Sequence, residues 1–219
     1  MNDLEKNISK QEDRKKSTKD KIFDVSVDLF SQKGFDAVSM REIGREVGIR
    51  ESSIYNHYQN KEAILDSIID FFFSEIEASN LPEEQMDELM MVGIDIFFEM
   101  GSKMFIERMS TPKTEKIWRI ISIEVFHNEK IRKLFVEELL EAPINGWEII
   151  FTKMMEKNLI KQYDPKILAR EYFSFAIFLY FEYFILRYDT DYESFMDLAL
   201  KKMVDHANFI SDSIKIEKT

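Results

Sequence analysis

Five side chains between residues 52 and 57 carry the hydrogen-bonding groups that a protein needs to contact a nucleic acid. Ser52, Ser53, Tyr55, Asn56 and His57 bear short hydroxyls or planar polar groups close together in the chain. Hydroxyls and ring nitrogens bond phosphate oxygens, and a planar amide can bond the edge of adenine through two hydrogen bonds at once. We therefore expect these residues to contact DNA, with Asn56 as the base-reading side chain.

Two short helices are predicted to position these side chains. Ser39 and Glu42 have the Ser-x-x-Glu spacing of a capping box, so a helix should begin at Met40. Gly48 should end it, because glycine adopts a positive φ angle without steric cost. A second helix should then run from Glu51 to about Tyr58. Two short helices joined by a glycine-containing turn predict a helix-turn-helix, although such corners also occur in proteins that do not bind DNA.

A resemblance to a known family supports the DNA-binding interpretation. The segments GIRESSIYNHY at residues 48–58 and NKEAIL at residues 60–65 resemble the recognition helix and the following helix start of the tetracycline-repressor (TetR) family of bacterial transcription regulators. The agreement extends upstream, to positions in the family's first two helices: Ile22, Leu29, Phe30, Gly34, Phe35, Ser39, Ile43 and Gly48. The resemblance covers about residues 17–66.

The resemblance implies an all-α protein of about nine to ten helices. We expect a flexible basic arm at residues 1–16, a three-helix DNA-binding head with the helix-turn-helix at residues 17–60, and a larger helical domain for effector binding and dimerisation at residues 61–219. The partners would be a pseudo-palindromic double-stranded DNA operator, a small-molecule effector and a second copy of the chain. The expected function is that of a repressor released from DNA by a small apolar or aromatic effector.

Matching the family's motif residue by residue gives ten expected DNA contacts: Thr18, Ser39, Met40, Arg50, Ser52, Ser53, Tyr55, Asn56, His57 and Lys61. Six of them are expected mainly on the phosphate backbone: Thr18, Ser39, Arg50, Tyr55, His57 and Lys61. Glu51 departs from the family pattern, which often has a basic or small residue there. We expect Glu51 to stabilise the start of its helix.

Composition and charge agree with a helical protein whose DNA-binding part is separate from its acidic part. Six Gly and four Pro in 219 residues favour long helices, and the absence of Cys excludes disulfides and thiolate metal sites. Residues 1–60 carry 11 basic and 11 acidic side chains, so the net charge of −11 lies in residues 61–219. The first twenty residues lack the apolar run of a signal peptide, which predicts a cytoplasmic protein.

Apolar periodicity and capping residues predict the remaining helices. The expected ranges are 17 or 18 to 33, 60 to about 79, 82 to about 109, 112 or 113 to about 127, 129–140, 144–158, 165 to about 188, and 192–211. A break is expected at Ala142 and Pro143, because proline disfavours a helical conformation in the residue before it.

The most apolar of these helices contains YFSFAIFLYFEYFIL at residues 172–186. A membrane span needs about 20 apolar residues, so this run is too short and we predict no membrane partner. Apolar residues all round the helix indicate burial on two sides, against the domain core and against a second subunit. Dimerisation through the last two long helices is what the resemblance implies, with these expected interface residues: Phe175, Leu179, Glu182, Tyr183, Leu198, Lys202 and Phe209.

The larger domain is also rich in Phe and Met, which adapt to ligands of varied shape. Such residues can simply form a core, or some can line a cavity for an apolar or aromatic effector. The expected effector-pocket residues are Phe72, Phe97, Met100, Met104, Trp118, Phe126, Trp147, Phe151, Met154, Phe173 and Phe178.

The sequence contains few residues that could form a catalytic or metal site. His57, His127 and His206 are the only histidines, and Glu124 with His127 gives the Glu-x-x-His ligand pair of di-iron bundles only once. Such a centre needs the pair twice, so we interpret Glu124 as solvated and His127 as a helix-end residue. We expect no enzyme activity, no metal and no cofactor. The alternatives left open are a helical small-molecule carrier without DNA binding and, less favoured by the residues, a helical-bundle metalloenzyme.

Overall fold

The computed structural model describes residues 16–78, 81–109, 111–187 and 191–216. Regular secondary structure in these ranges is helical, with one isolated antiparallel bridge between Ile160 and Lys215. The predicted all-α class is confirmed. The expected N-terminal arm lies outside the described residues except for Lys16. Contacts within the chain divide it into two compact units, with the boundary between Glu75 and Ile76.

The first unit contains three helices and most of a fourth. They are α1 (Thr18–Lys33), α2 (Met40–Val47), α3 (Glu51–Ile54) and α4 (Lys61–Ala78), the last of which continues past the boundary at Glu75. Three of their ends are set by neighbouring side chains or glycine. Ser17 and Asp20 form a reciprocal capping box at the start of α1, Gly34 ends α1 with φ 77°, and Asn60 Oδ1 accepts a hydrogen bond from Ala63 N at 2.8 Å.

Apolar side chains from all four helices form the core of the first unit. Fully buried members include Ile22, Phe30, Ile43, Ile54 and Ile64. On α1, Val27 is 2% exposed, whereas Val25 is only partly buried.

The second unit is built from α5 (Glu83–Val92), α6 (Ile94–Met109), α7 (Pro112–Glu124), α8 (Glu129–Leu134), α9 (Ala142–Glu156), α10 (Pro165–Phe181) and α11 (Tyr192–Ile214). Two π-helical segments connect or extend these helices, π1 (Phe135–Glu141) and π2 (Glu182–Leu186). Helix α11 packs along α6, and α9 packs along α10. Within the four described ranges, no helix is long and apolar enough to cross a membrane.

Two predicted helix boundaries of this unit are wrong. The helix expected from Pro82 to Met109 is divided at Gly93, where the backbone leaves the helical region. The break expected at Ala142 and Pro143 does not occur, because Pro143 lies in the first turn of α9 and needs no amide hydrogen there. The wider turn of π1 precedes it and carries the chain from α8 into α9 without interruption.

Aromatic side chains of the second unit fall into two groups. The inner aromatic group consists of Phe97, Phe98, Trp147, Phe151 and Tyr172, whose rings contact one another within a core that also contains Met90 and Met154. The outer aromatic group consists of Trp118, Phe135, Tyr180 and Phe184. Three rings of the outer group are only partly buried, whereas Phe98 and Phe151 of the inner group are fully buried.

His206 on α11 gives the second unit a pH-dependent contact. Its ring stacks on Phe175 with centroids 4.5 Å apart, and Nε2 lies 3.1 Å from the Tyr172 carbonyl oxygen. Burial lowers the pKa of His206, against the opposing effects of that carbonyl and of Glu171. The folded protein therefore disfavours the charged ring, and the stability that results is present above pH 6.5 and lost as the pH falls below it.

We expect His206→Phe to reduce the loss of stability between pH 7 and pH 5. The phenyl ring keeps the stack on Phe175 but cannot be protonated, so the unfolded chain no longer binds an extra proton at this position. Urea midpoints at the two pH values measure the effect. His127→Phe is the matched control, because the His127 side chain is exposed. An equal acid-induced loss in wild type and His206→Phe would contradict the prediction.

Candidate nucleic-acid interface

A tight corner joins α2 to α3. Gly48 ends α2 in the left-handed conformation with φ 81°, as predicted, and Ile49 N donates to the Gly44 carbonyl oxygen at 2.9 Å. A Cβ atom at Gly44 would lie 3.1 Å from Ile49 O and 3.3 Å from Glu51 N, both backbone atoms. The corner therefore needs glycine at Gly48 for its positive φ angle, and a side chain at Gly44 would crowd the backbone of the next helix start. Gly48 was predicted from the sequence and Gly44 was not, because its only signal was a glycine inside an otherwise helical pattern.

The start of α2 is fixed by side chains. Ser39 Oγ accepts a hydrogen bond from Glu42 N at 3.2 Å, which confirms the predicted helix start at Met40. The Glu42 carboxylate accepts from Lys33 Nζ at 2.7 Å and so connects α2 to the end of α1. The Lys33 hydrogen bond is the largest of the effects that lower the pKa of Glu42. These contacts set the direction in which α2 leaves α1.

The second helix of the corner is shorter than predicted. Helix α3 ends at Ile54, and the chain continues in turns where His57 N and Tyr58 N both donate to the Ile54 carbonyl oxygen, at 2.8 and 3.0 Å. Tyr, Asn and His have modest helix propensity, and bonds to the third residue back commonly tighten a helix end. The prediction of a helix to Tyr58 was wrong in length.

The predicted contact residues of this region remain on the surface. Tyr55 is 50% exposed, Ser52, Asn56 and His57 are exposed, and Ser53 is partly buried. On the opposite side, Ile54 and Tyr58 are buried in the core of the first unit. The structure thus separates an outer polar surface from an inner apolar anchor.

Three more expected contacts are exposed at helix starts. Thr18 is the first residue of α1, Ser39 precedes α2, and Arg50 precedes α3 without making a side-chain cap. Backbone N–H groups at helix starts favour anions such as phosphate. Helix starts and exposed polar side chains together give the first unit a surface suited to a DNA backbone and to base edges.

Two expected contacts are placed differently. Met40 is 9% exposed and forms part of the core of the first unit. Lys61 Nζ donates to the Phe35 and Val38 carbonyl oxygens, at 2.7 and 2.8 Å. An apolar side chain at the first position of an amphipathic helix packs inward, and a lysine with carbonyl acceptors in reach bonds them. The structure therefore does not bring these two side chains together with the exposed set.

The expected effector-pocket residues do not form one cluster. Phe72 is buried in the first unit, and the other ten lie in the second unit. Phe97, Trp147 and Phe151 belong to the inner aromatic group and Trp118 to the outer one. The rest differ in burial: Met154 is in the core, Met104 and Phe173 are partly buried, and Met100, Phe126 and Phe178 are exposed.

The expected dimer-interface residues also divide. Leu179, Glu182 and Tyr183 are buried within the single chain, because they lie on the side of α10 and π2 that packs against the rest of the unit. Glu182 accepts a hydrogen bond from Lys202 Nζ at 2.7 Å. Phe175 is partly buried against His206, whereas Leu198 and Phe209 are exposed. Apolar exposure on α10 belongs instead to Ile167, Phe178 and Phe181.

The two residues of the Glu-x-x-His pair differ in burial. Glu124 is 4% exposed, which corrects the expectation of a solvated carboxylate, and His127 is exposed beyond the end of α7. Across the part of the chain that the structure describes, no three His, Asp or Glu side chains are grouped so that they could hold a metal ion.

Sequence comparison relates this surface to known regulators. The family model "Bacterial regulatory proteins, tetR family" matches residues 22–68, which contain the corner and its flanking helices. The biofilm operon icaADBC HTH-type negative transcriptional regulator IcaR of Staphylococcus epidermidis is 25% identical over 178 residues, 77% of this chain and 83% of that protein. The Probable HTH-type transcriptional regulator YttP of Bacillus subtilis is 29% identical over 135 residues, 57% of this chain and just under two thirds (65%) of that protein.

Comparison with solved structures supports the fold. The SmeT–triclosan complex superposes with a TM-score of 0.64, covering 92% of this chain and 93% of that chain at 16% sequence identity. At this identity the match concerns the fold alone. The similar curated proteins are transcription regulators rather than enzymes.

Proposed function

Because the chain belongs to the tetR family of bacterial regulatory proteins, we propose that it is a transcription repressor that binds an operator as a homodimer and leaves it when an effector binds. The observation that carries the proposal is the exposed polar surface of residues 52–57, held on a glycine-dependent corner inside the segment that the family model matches. We propose that it acts on DNA in the cytoplasm. Repression, as opposed to activation, is supported by the similarity to a negative regulator.

In the proposed complex α3 enters the major groove of DNA. Asn56 bonds adenine through its amide, while Ser52, Ser53, Tyr55 and His57 contact the groove and the adjoining phosphates. Thr18, Ser39 and Arg50 contact the phosphate backbone from the starts of α1, α2 and α3. Two heads related by the dimer axis then read a pseudo-palindromic operator, with a half-site separation of about 34 to 36 Å for a one-turn spacing.

The proposed dimer forms through α10 and α11. Five large apolar side chains are exposed on these two neighbouring helices: Ile167, Phe178, Phe181, Leu198 and Phe209. Large apolar patches on a protein surface commonly mark interaction sites. A second copy of the chain offers the same patch, so a two-fold interface would bury both.

The proposed effector is a small apolar or aromatic compound bound in the second unit. The outer aromatic group is the better candidate site, because three of its four rings are only partly buried and polar groups lie beside them. Ser122 Oγ and the Tyr180 hydroxyl are 2.7 Å apart, and the Tyr183 hydroxyl donates to Glu115 at 3.1 Å. Burial, reinforced by the Glu115 carboxylate, raises the pKa of Tyr183 to about 12, so this hydroxyl remains a donor at neutral pH.

Regulation would follow from linkage between the two sites. An effector that binds better to a dimer with mis-spaced heads must weaken operator binding by the same factor. Helix α4 is the proposed connection, since it begins beside the corner at Lys61 and continues to Ala78, beyond the boundary between the units.

Two single-tryptophan variants can locate the effector. The chain has two tryptophans, one in each aromatic group, so Trp147→Phe leaves Trp118 as the reporter and Trp118→Phe leaves Trp147. In a titration with triclosan and other small aromatic compounds, we expect the emission of Trp118 to change and that of Trp147 to change little. A response confined to Trp147 would move the proposed site to the inner aromatic group.

The DNA-binding proposal is tested by fluorescence anisotropy with the duplex upstream of the protein's own gene. Wild type should bind it more tightly than a mixed-sequence duplex, and less tightly as salt is raised. Equal affinity for both duplexes would exclude autoregulation under those conditions and direct the search to other operators. Failure to bind any duplex at low salt would contradict the proposal.

A further inference from the structure

Lys61, the first residue of α4, is bonded inside the first unit. Its Nζ donates to the Phe35 carbonyl oxygen at 2.7 Å and to the Val38 carbonyl oxygen at 2.8 Å. The same atom lies 4.2 Å from the centroid of the Phe35 ring. Both strong acceptors belong to the loop between α1 and α2, more than twenty residues earlier in the chain. The ammonium group therefore joins the start of α4 to that loop.

The position is a poor one for a positive charge unless acceptors are close. The start of a helix carries a partial positive charge from its unpaired N–H groups, which disfavours lysine there. The two carbonyl oxygens and the ring face offset this effect, since hydrogen bonds from a charged donor are among the stronger ones. The Phe35 carbonyl oxygen also accepts from Val38 N at 3.3 Å, so the ammonium group adds to a hydrogen bond within the loop.

The loop held by Lys61 leads directly into the DNA-facing elements. Phe35 packs edge-on against Phe30 of α1 with centroids 5.3 Å apart, and Val38 is buried immediately before Ser39, which caps α2. Helix α3 lies in the chain between α2 and α4. The contact between the loop and the start of α4 therefore connects the segment before α2 to the segment after α3.

We propose that Lys61 is a positioning residue: its ammonium group holds the loop between α1 and α2 against the start of α4, and so orients α2 and α3 towards DNA, instead of neutralising a phosphate. The role in DNA binding rests on the function proposed above. The role in holding the loop does not, which allows the two to be tested separately.

The first test compares Lys61→Met with Arg50→Met in salt-dependent binding. Methionine keeps an unbranched stem beside Phe35 but removes the charge and the donors. Log affinity falls as log salt rises, and each lost phosphate contact lowers the steepness of this slope by about 0.9 on duplex DNA. With the upstream duplex and a 30-base-pair mixed-sequence duplex, we expect Arg50→Met to lower the slope. Lys61→Met should leave the slope unchanged and reduce the ratio of specific to mixed-sequence affinity about tenfold.

The second test needs no DNA. In wild-type protein, the Lys61 ammonium protons should exchange slowly enough to give a ¹⁵N-correlated NMR signal, with cross-peaks to the Phe35 ring. In Lys61→Met, amide hydrogens of α2 should exchange about tenfold faster or more, because the loop before α2 is no longer held. Lys21→Met serves as a control that removes another lysine of the first unit.

The outcomes separate the two proposals. A salt slope lowered by Lys61→Met, with an unchanged exchange rate in α2, would overturn the positioning role and make Lys61 a phosphate contact. If wild type bound neither duplex, the proposed function would fail, and the ammonium signal and exchange rates would still decide whether Lys61 holds the loop. If Lys61→Met did not fold, the wild-type ammonium signal would decide, and its absence would overturn the inference.

Discussion

Asn56→Ala is expected to lower affinity for the specific duplex by about ten- to a hundredfold at each half-site, while affinity for a mixed-sequence duplex stays nearly the same. A bidentate amide–adenine pair contributes about 1–3 kcal/mol of discrimination, and 1.4 kcal/mol corresponds to a factor of ten. Asn56 is exposed on the turn that follows α3, so its removal should leave the core of the first unit intact. Anisotropy titrations with the upstream and mixed-sequence duplexes measure both affinities.

The control for this prediction is Gln59→Ala. Gln59 is also an exposed amide in the same connection, but the sequence motif assigns it no DNA contact. Because Asn56 is uncharged, its loss should not change the dependence of affinity on salt. Equal losses for both duplexes, or an equal effect of Gln59→Ala, would show that Asn56 does not read a base.

Much of the first unit could be predicted because local side chains set its helix ends. The cap at Asn60, the closing glycines at 34 and 48 and the serine cap at Ser39 are contacts over three or four residues, which spacing in the sequence reveals. Predicted starts for α1, α2 and α4 therefore agree with the structure to within a residue. The end of α3 was wrong, because weak helix propensity over four polar residues allows tight turns to replace the helix.

Contacts between distant residues could not be predicted from spacing. Lys61 was expected on a phosphate, and only the folded chain reveals that the Phe35 and Val38 carbonyl oxygens lie within 2.8 Å of its Nζ. Gly44 has a similar explanation, because the crowding that a Cβ atom would meet there comes from the backbone of the turn and of the following helix start. Both are consequences of how the corner packs.

In the second unit the sequence indicated helices but not which face each one buries. The run at residues 172–186 is apolar all round, so no periodicity distinguished the side of α10 that packs inward. The structure buries Leu179 and Tyr183 and exposes Phe178 and Phe181. Three of the expected interface residues, Leu179, Glu182 and Tyr183, are therefore buried within the single chain.

Phe209→Glu, on the exposed side of α11, is expected to have the second large effect, which is on dimer formation. Phe209 is 69% exposed in the single chain, and four other large apolar side chains of the two helices are also exposed. If a second copy covers this surface, a carboxylate there would be buried without a partner, and disruption of a central interface residue typically weakens association by 2 kcal/mol or more. We expect the dimer dissociation constant to rise about thirtyfold or more, measured by sedimentation over a concentration series.

Phe126→Glu separates this effect from a general effect of charge. Phe126 is 73% exposed, just beyond the end of α7 and away from α10 and α11 in the chain, so it matches Phe209 in side chain and exposure. It should leave association unchanged. Because two half-sites are read together, Phe209→Glu should also weaken binding to the specific duplex far more than Phe126→Glu does. Dimers that survive Phe209→Glu at wild-type strength would mean that another surface joins the subunits, since an unpaired carboxylate cannot be buried there without cost.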